Sequence, residues 1–517
     1  MVMRAADLPL HYNAVDILER NLTERGHKIG LYSLEREMSF QQVADEANQI
    51  GNALRRMGVR MGEYVALLSL DGAEWVTTFF GTLKIGAISV GMNTLLTASE
   101  YDYILKDCRA RVLVVHEALW SSIESVLDKQ PFLEHVIVIG EKKGDAISYR
   151  DWIQDESTEL DTAPTHREDF CTLNYSSGTT GAPKGILHAH KDLPLTAHYW
   201  GVNVLGLTED DRTFAGAKLF FTFGTGGNLI FPWYVGASVV LFSGSPRQAT
   251  SILEIVDRFK PTILYNAPTG YAMIMAIKDY KKTYDLSSLR LCVSAGEALP
   301  APLWHQWKEA TRLDIIDGIG CTEIYHIYIS NCPGDIRPGS SGKPVEGFEV
   351  KVVDEAGKEV PQGEIGNLLV KGETTSLFYL HQYERSRTTF LGEWLFTGDK
   401  YYVDEDGYFW HGGRSDDMLK VGGIWVSPME VESTLIGHKA VLECAVVGQT
   451  DQSDLIKPKA YVVLQAGYSG SEALASELIE YCVEQMAGYK RPRWIEFVDE
   501  LPKTATGKIQ RFKLRLL

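Results

Sequence analysis

The sequence predicts an α/β fold: a large N-terminal domain of layered αβ sheets with a β subdomain, then a small mobile α+β C-terminal domain. Three observations carry that expectation. Short apolar runs alternate with amphipathic helical patterns through the first part of the chain. From about Gly342 the alternation gives way to strands separated by acidic, glycine-ended turns. After His411-Gly-Gly-Arg-Ser-Asp-Asp417 a second, shorter set of helix and strand patterns begins. At 517 residues the chain is too long for a single core.

Ser39 to Met57 has the period of an amphipathic helix, and Tyr64-Val-Ala-Leu-Leu-Ser-Leu70 reads as a buried strand. Ala98 to Asp107 is the next helix, with Val112-Leu-Val-Val115 and Val136-Ile-Val-Ile139 as further strands. Continuous apolar runs, as opposed to alternating ones, mean strands covered on both faces, which points to parallel sheet. The pattern resumes with Ser238-Val-Val-Leu-Phe242, helix Ala249 to Phe259, Thr262-Ile-Leu-Tyr265 and Leu289-Arg-Leu-Cys-Val293. Val350-Lys-Val-Val353, Gly366-Asn-Leu-Leu-Val370 and Tyr408-Phe-Trp410, with turns at Asp354-Glu-Ala-Gly357 and Asp404-Glu-Asp-Gly407, form a β meander. The last segment has helices at Pro428 to Leu435 and Ser471 to Met486 and strands at Leu442 to Gly448 and Ala460 to Leu464. The glycine pair 412–413 beside charged residues marks a hinge, so the expected domains are 1–413 and 414–517.

Apolar residues make up 45% and charged residues 23%, ordinary values for a soluble protein. A formal net charge of −17 repels nucleic acid and anionic lipid, which excludes both as expected partners. The seven cysteines (108, 171, 292, 321, 332, 444 and 482) are scattered and lack a C-x-x-C pair, arguing for a reducing compartment and against a disulfide framework or zinc site. The N-terminal residues lack the apolar core of a signal peptide, and the most apolar run, Trp75 to Met92, is interrupted by Lys84 and glycines. No membrane insertion is expected, and the chain reads as cytoplasmic.

The densest chemical signal is Tyr175-Ser-Ser-Gly-Thr-Thr-Gly-Ala-Pro-Lys-Gly185. Ser176, Ser177, Thr179 and Thr180 supply hydroxyls, Gly178 lets the backbone curl toward a ligand, and Lys184 adds a charge. Such a loop is suited to a polyphosphate. It is not a G-x-x-x-x-G-K-[ST] loop, because Pro183 precedes the lysine and Gly185 follows it. A simple NTP-hydrolysing switch is thereby disfavoured. A second signal is Asp317-Gly-Ile-Gly-Cys-Thr-Glu323, where a tight turn is followed by a hydroxyl and a carboxylate. Further along stand Ser294-Ala-Gly-Glu297, Phe396-Thr-Gly-Asp399, Gly412-Gly-Arg-Ser-Asp416 and Leu501-Pro-Lys-Thr-Ala-Thr-Gly-Lys-Ile-Gln-Arg511. Each alone also fits an ordinary surface turn or solvated tail; together, in this order, they do not.

The set resembles the motifs of the adenylate-forming superfamily of acyl-CoA synthetases, luciferases and adenylation domains, over nearly the whole chain. The resemblance implies ATP, Mg²⁺ and coenzyme A as cofactors and a small carboxylic acid as partner, and leaves a homodimer open. It implies that Thr322 touches the α-phosphate, that Glu323 holds Mg²⁺, and that Lys508 contacts the acid and the α-phosphate. Ser294, Gly296 and Glu297 with Asp317, Gly318 and Ile319 would line the adenine slot; Ile319 departs from the family's usual aromatic residue. Asp399 and Arg414 would hold the ribose, Asp416 would be the hinge, and Lys420, Gly422 and Gly423 would line a pantetheine tunnel.

For the acid pocket the resemblance points to Phe221, Thr222, Phe223, Gly224, Gly320 and His326, and within the superfamily it is nearest to benzoate–CoA ligases. His326 would donate to the carboxylate or cap the pocket; a hydrogen-bonded core histidine is the alternative. The expected activity is ATP-dependent adenylation of a benzoate-like acid and transfer of the acyl group to CoA. A cyclohexane-type acid, a carrier-protein thiol as acceptor, and a non-catalytic binding protein are the competing readings.

Overall fold

A computed structural model of the chain describes residues 3–176, 183–245, 248–414, 417–421, 424–451, 455–503 and 509–516. Its backbone forms the mixed α/β architecture expected, with the layered sheets in the larger N-terminal part and a smaller sheet toward the C-terminus.

The first sheet has, in spatial order, strands Ile147–Ser148, His135–Ile139, Val112–His116, Tyr64–Leu68, Ile88–Gly91, Phe170–Ser176 and Lys184–Ala189. Neighbours are parallel except the last pair, which is antiparallel with Ser176 opposite Lys184. The Ser/Thr/Gly loop is therefore the connection of a hairpin whose two stems belong to the sheet. Val112 and Val114 join one apolar core while Leu113 and Val115 join another. Coverage on both faces is why this strand's sequence is continuously apolar.

The second sheet runs Lys343–Pro344, Ile327–Ser330, Ile315–Gly320, Leu291–Ser294, Ile263–Asn266, Arg212–Ala215, Ser238–Val240, Ile29–Tyr32 and Glu37–Ser39. Its centre is parallel, but Ile315–Gly320 doubles back through the short 3₁₀ turn Thr322–Ile324 into the antiparallel strand Ile327–Ser330. The helix expected after Ser39 spans Phe40–Arg56. Ser39 caps it: its hydroxyl accepts from the Gln42 amide at 3.2 Å, and the Gln42 side chain accepts from the Ser39 amide at 2.8 Å. Phe40, Val43, Ala47, Ile50 and Leu54 lie on its buried face.

The meander forms an antiparallel sheet from Phe348–Val353, Gly366–Gly372, Trp394–Val403, Phe390–Leu391 and Phe409–Arg414. The last of these strands carries the glycine pair read as a hinge: Gly413 pairs with Lys400 and Arg414 with Asp399. These glycines are sheet residues, and the adjoining expected hinge residue, Asp416, lies outside the described residues.

Toward the C-terminus, strands Val441–Thr450, Ile456–Leu464 and Trp494–Phe497 pack with helices Pro428–Ile436 and Glu472–Gln485. Their apolar residues form clusters of their own, none of which includes a residue before Leu419. A buried ion pair ties this unit together. Arg511 contacts Glu432 at 2.7 Å, and the Val446 amide donates to the same carboxylate at 2.6 Å. Among the described residues no helix is long and apolar enough to cross a membrane, and all seven cysteines are free thiols.

Candidate active site

The phosphate hairpin and the Thr-Glu turn meet. Lys184 opens its strand with its ammonium 3.1 Å from Glu323 Oε1 and 3.5 Å from the Tyr379 hydroxyl, which itself donates to Glu323 Oε1 at 2.7 Å. Burial pushes the Glu323 carboxyl up, but the Lys184 charge and the Tyr379 hydrogen bond outweigh it and hold the group below its ordinary range. Glu323 is thus a buried anion. Ser177, Gly178, Thr179 and Thr180 lie outside the described residues; the flanking Ser176 hydroxyl is buried with no partner.

All three carbonyls of the Thr322–Ile324 turn are held from outside it. His188 Nε2 bonds the Thr322 oxygen at 2.6 Å, the Ser376 amide the Glu323 oxygen at 2.7 Å, and the Thr374 hydroxyl the Ile324 oxygen at 2.9 Å. The next residue, Tyr325, is held at φ +79. A non-glycine residue tolerates such a backbone only where surrounding contacts over-determine it.

Ser294 ends a strand and pairs in register with Asp317 on the next. Asp317 is pushed up to about 8 by burial, which the nearby Ser294 hydroxyl and Leu299 amide only partly oppose. Neither Asp317 Oδ1 nor Ser294 Oγ makes a hydrogen bond. A protonated carboxyl beside an unpaired hydroxyl offers both donor and acceptor, which is what the edge of a purine needs. Beside them Gly296 is exposed at φ +92, while Glu297 and Ile319 are half-buried. Gly318 sits inside its hairpin, where a Cβ would stand 2.7 Å from the Ile329 oxygen.

Asp399 is buried and accepts from Arg414 at 3.2 Å, with His411 Nε2 at 3.6 Å. Burial pushes its carboxyl up, yet His411 and the Arg414 charge leave it below the usual range.

In the expected acid pocket, Thr222 is buried, Phe221 and Phe223 are half-buried, and Phe223 lies 5.5 Å from the His326 ring. Trp200 and Phe231 wall the same ring at 4.9 and 4.6 Å. His326 is buried, both its nitrogens lack a hydrogen-bond partner, and burial pushes it down to about 3. Its surroundings are aromatic, and burial favours the neutral imidazole. Two of the glycines answer to their own backbones: a Cβ on Gly224 would meet the Lys218 oxygen at 2.1 Å, and one on Gly320 the His326 oxygen at 2.4 Å.

Lys420 lies in the short strand Leu419–Val421, paired with Ile424–Val426. Gly422, Gly423 and Lys508 lie outside the described residues. Sequence reasoning missed Tyr379, His188, Thr374 and Ser376. Period-2 facing on the strand Lys184–Ala189 puts His188 on the side of Lys184, a readable signal; Tyr379 has none, since its partner is 56 residues away.

The profile of the AMP-binding enzyme family matches residues 18–380, and that of the AMP-binding enzyme C-terminal domain matches residues 430–508. The chain belongs to the AMP-binding enzyme family. It is 46% identical to a benzoate–CoA ligase of Thauera aromatica over 99% of this chain and 97% of that one. It is similar to the crystal structure of the anthranilate CoA ligase AuaEII in complex with anthranoyl-AMP, with TM-score 0.97, 68% identity and coverage of 99% and 98%. It also resembles a benzoate CoA ligase from Burkholderia xenovorans LB400, with TM-score 0.90, 38% identity and coverage of 98% and 100%.

Proposed function

We infer that the chain is an ATP-dependent, AMP-forming ligase that joins an aromatic, benzoate-like carboxylic acid to CoA. The observation that carries this reading is the meeting of Lys184, from the phosphate hairpin, with the buried Glu323 anion next to an aromatic chamber.

A carboxylate is a poor electrophile. In the first half-reaction an oxygen of the acid attacks the α-phosphorus of ATP, the bond to the bridging oxygen breaks, and pyrophosphate leaves. In the second the thiolate of CoA attacks the acyl carbon and AMP leaves. Lys184, with Ser176, Ser177, Gly178, Thr179 and Thr180, binds the triphosphate tail. Thr322 orients the α-phosphate, Asp399 and Arg414 hold the ribose, and Ser294, Gly296, Glu297, Asp317, Gly318 and Ile319 line the adenine slot. Among the described residues no three or more His, Cys, Asp or Glu side chains converge as a metal cage. The residues instead fit Mg²⁺ held by Glu323 and substrate phosphate oxygens, the manner in which this ion is usually bound. Bound there, Mg²⁺ supplies neutralisation of phosphate charge.

Phe221, Thr222, Phe223, Gly224 and Gly320 shape the acid chamber, and neutral His326 donates an N–H toward the carboxylate. Lys508 stabilises charge as the carboxylate strikes phosphorus. Residues 1–413 and 414–517 act as two domains hinged near Asp416; rotation exchanges Lys508 for Lys420, Gly422 and Gly423, which line the path of the pantetheine thiol. A second reading, an ortho-amino benzoate (anthranilate), is favoured by two observations. The anthranilate CoA ligase is 68% identical, and the Tyr265 hydroxyl is buried without a partner, its ring 5.9 Å from Phe223.

The test is a panel of benzoate, anthranilate, hydroxybenzoates, cyclohexanecarboxylate and long-chain acids, with AMP, pyrophosphate and acyl-CoA measured. AMP formed in step with benzoyl- or anthraniloyl-CoA is expected. Release of ADP and orthophosphate defeats the ligase reading, and preference for long-chain acids defeats the aromatic one.

A further inference from the structure

His188 is completely buried, and both its ring nitrogens face acceptors. Nδ1 lies 3.0 Å from Asp192 Oδ2, and Nε2 lies 2.6 Å from the Thr322 carbonyl oxygen. A carbonyl only accepts. Asp192 accepts as well: the Ala189 amide donates to it at 3.0 Å and Lys191 at 3.1 Å. Burial pushes the Asp192 carboxyl up, but the bond to His188 and the Lys191 charge leave it below its ordinary range. The carbonyl therefore places an N–H on Nε2, and Nδ1 is left to pair with the Asp192 carboxyl.

The consequence lies in what is being gripped. His188 shares the strand Lys184–Ala189 with Lys184, and the two side chains lie on one face of it. That single strand therefore engages the nucleotide turn twice: Lys184 at the Glu323 carboxylate and His188 at the preceding carbonyl. The Thr322–Glu323 peptide is the one that aims both the hydroxyl and the carboxylate. Its oxygen is held by the 2.6 Å bond from His188 Nε2. The Tyr325 ring packs edge-on against His188 at 5.1 Å, and Tyr325 is the residue held at φ +79.

We propose that His188 is a positioning residue for adenylation: bridging Asp192 and the Thr322 carbonyl, it sets the orientation of Thr322 and Glu323 toward the nucleotide. The inference rests on the roles assigned to those two residues above.

Three substitutions test it. In His188→Gln the amide nitrogen reaches the position of Nε2 and restores a donor for the Thr322 oxygen. In His188→Asn the nitrogen reaches only the position of Nδ1, toward Asp192. His188→Leu removes both. Benzoate-dependent ATP–pyrophosphate exchange should show kcat/KM for MgATP reduced about 10- to 100-fold in the Asn and Leu variants, the scale of loss for a small misplacement at a reacting centre. The Gln variant should recover most of it, while KM for benzoate stays near the wild-type value in all that fold. Melting temperature serves as the control for folding; should the Leu variant not fold, the Gln–Asn pair still decides. Equal loss in the Gln and Asn variants, or a Leu variant with wild-type kinetics, overturns the inference and leaves the ligase reading standing. Absence of exchange in the wild-type protein overturns the ligase reading itself.

Discussion

His326 offers a prediction with a sign and a size. Its ring is buried, both nitrogens are unpaired, and burial lowers its pKa from 6.5 to about 3. Below pH 6.5 the unfolded chain binds a proton on this ring while the folded chain excludes it, so stability is lost as pH falls from 6.5 toward 3. At pH 5 the linkage costs about 2 kcal/mol; at pH 7.5 it costs almost nothing. His326→Leu removes the titration and, with fewer side-chain atoms, fits a space where a Cβ on Gly226 would already stand 2.7 Å from the ring. The variant also forfeits ring contacts to Trp200, Phe223 and Phe231, each worth about 0.5–1.5 kcal/mol. That loss does not depend on pH. His190, lowered by burial to about 4, titrates alike in both proteins and cancels. The diagnostic is therefore the change in the stability difference: between pH 7.5 and 5 it should move by about 2 kcal/mol in favour of the Leu variant. Urea unfolding followed by tryptophan fluorescence at the two pH values measures it. The same variant should raise KM for benzoate about 10-fold or more, the worth of a hydrogen bond to a charged group. Parallel loss of stability in both proteins would show that the ring is not held neutral by burial.

Lys508→Ala should abolish acid-dependent ATP–pyrophosphate exchange yet largely spare thioester formation from supplied benzoyl-AMP and CoA; equal loss of both half-reactions would contradict a two-surface enzyme. Arg511→Met leaves the buried Glu432 carboxylate without its partner and should destabilise the C-terminal unit by about 3–5 kcal/mol, read as faster amide exchange in Val441–Thr450. Arg511→Met with Glu432→Leu should recover much of that loss.

Much of the fold was legible because its signals are local. The continuous apolar run at Val112–Val115 announces a strand covered twice, and Ser39 with Gln42 announces a helix start. What no neighbour in sequence reveals is that the glycine pair 412–413 ends a strand, since its partner Lys400 stands on another strand of the meander. At the site, the phosphate hairpin and the Thr-Glu turn declare their chemistry by composition. His326 could be named, but its unpaired aromatic setting could not, since Trp200 and Phe231 come from far upstream.

The sequence by itself determined the class of chemistry: hydroxyls, glycines and Lys184 packed into one loop, and Thr322 beside Glu323, are statements made by adjacent residues. Tertiary structure alone decided which groups hold those residues in place. Tyr379 reaches Glu323 across 56 residues and His188 reaches Thr322 across 134. Hydrogen bonds act over about 3 Å whatever the separation along the chain, so these partners exist only once the sheets have brought distant strands together.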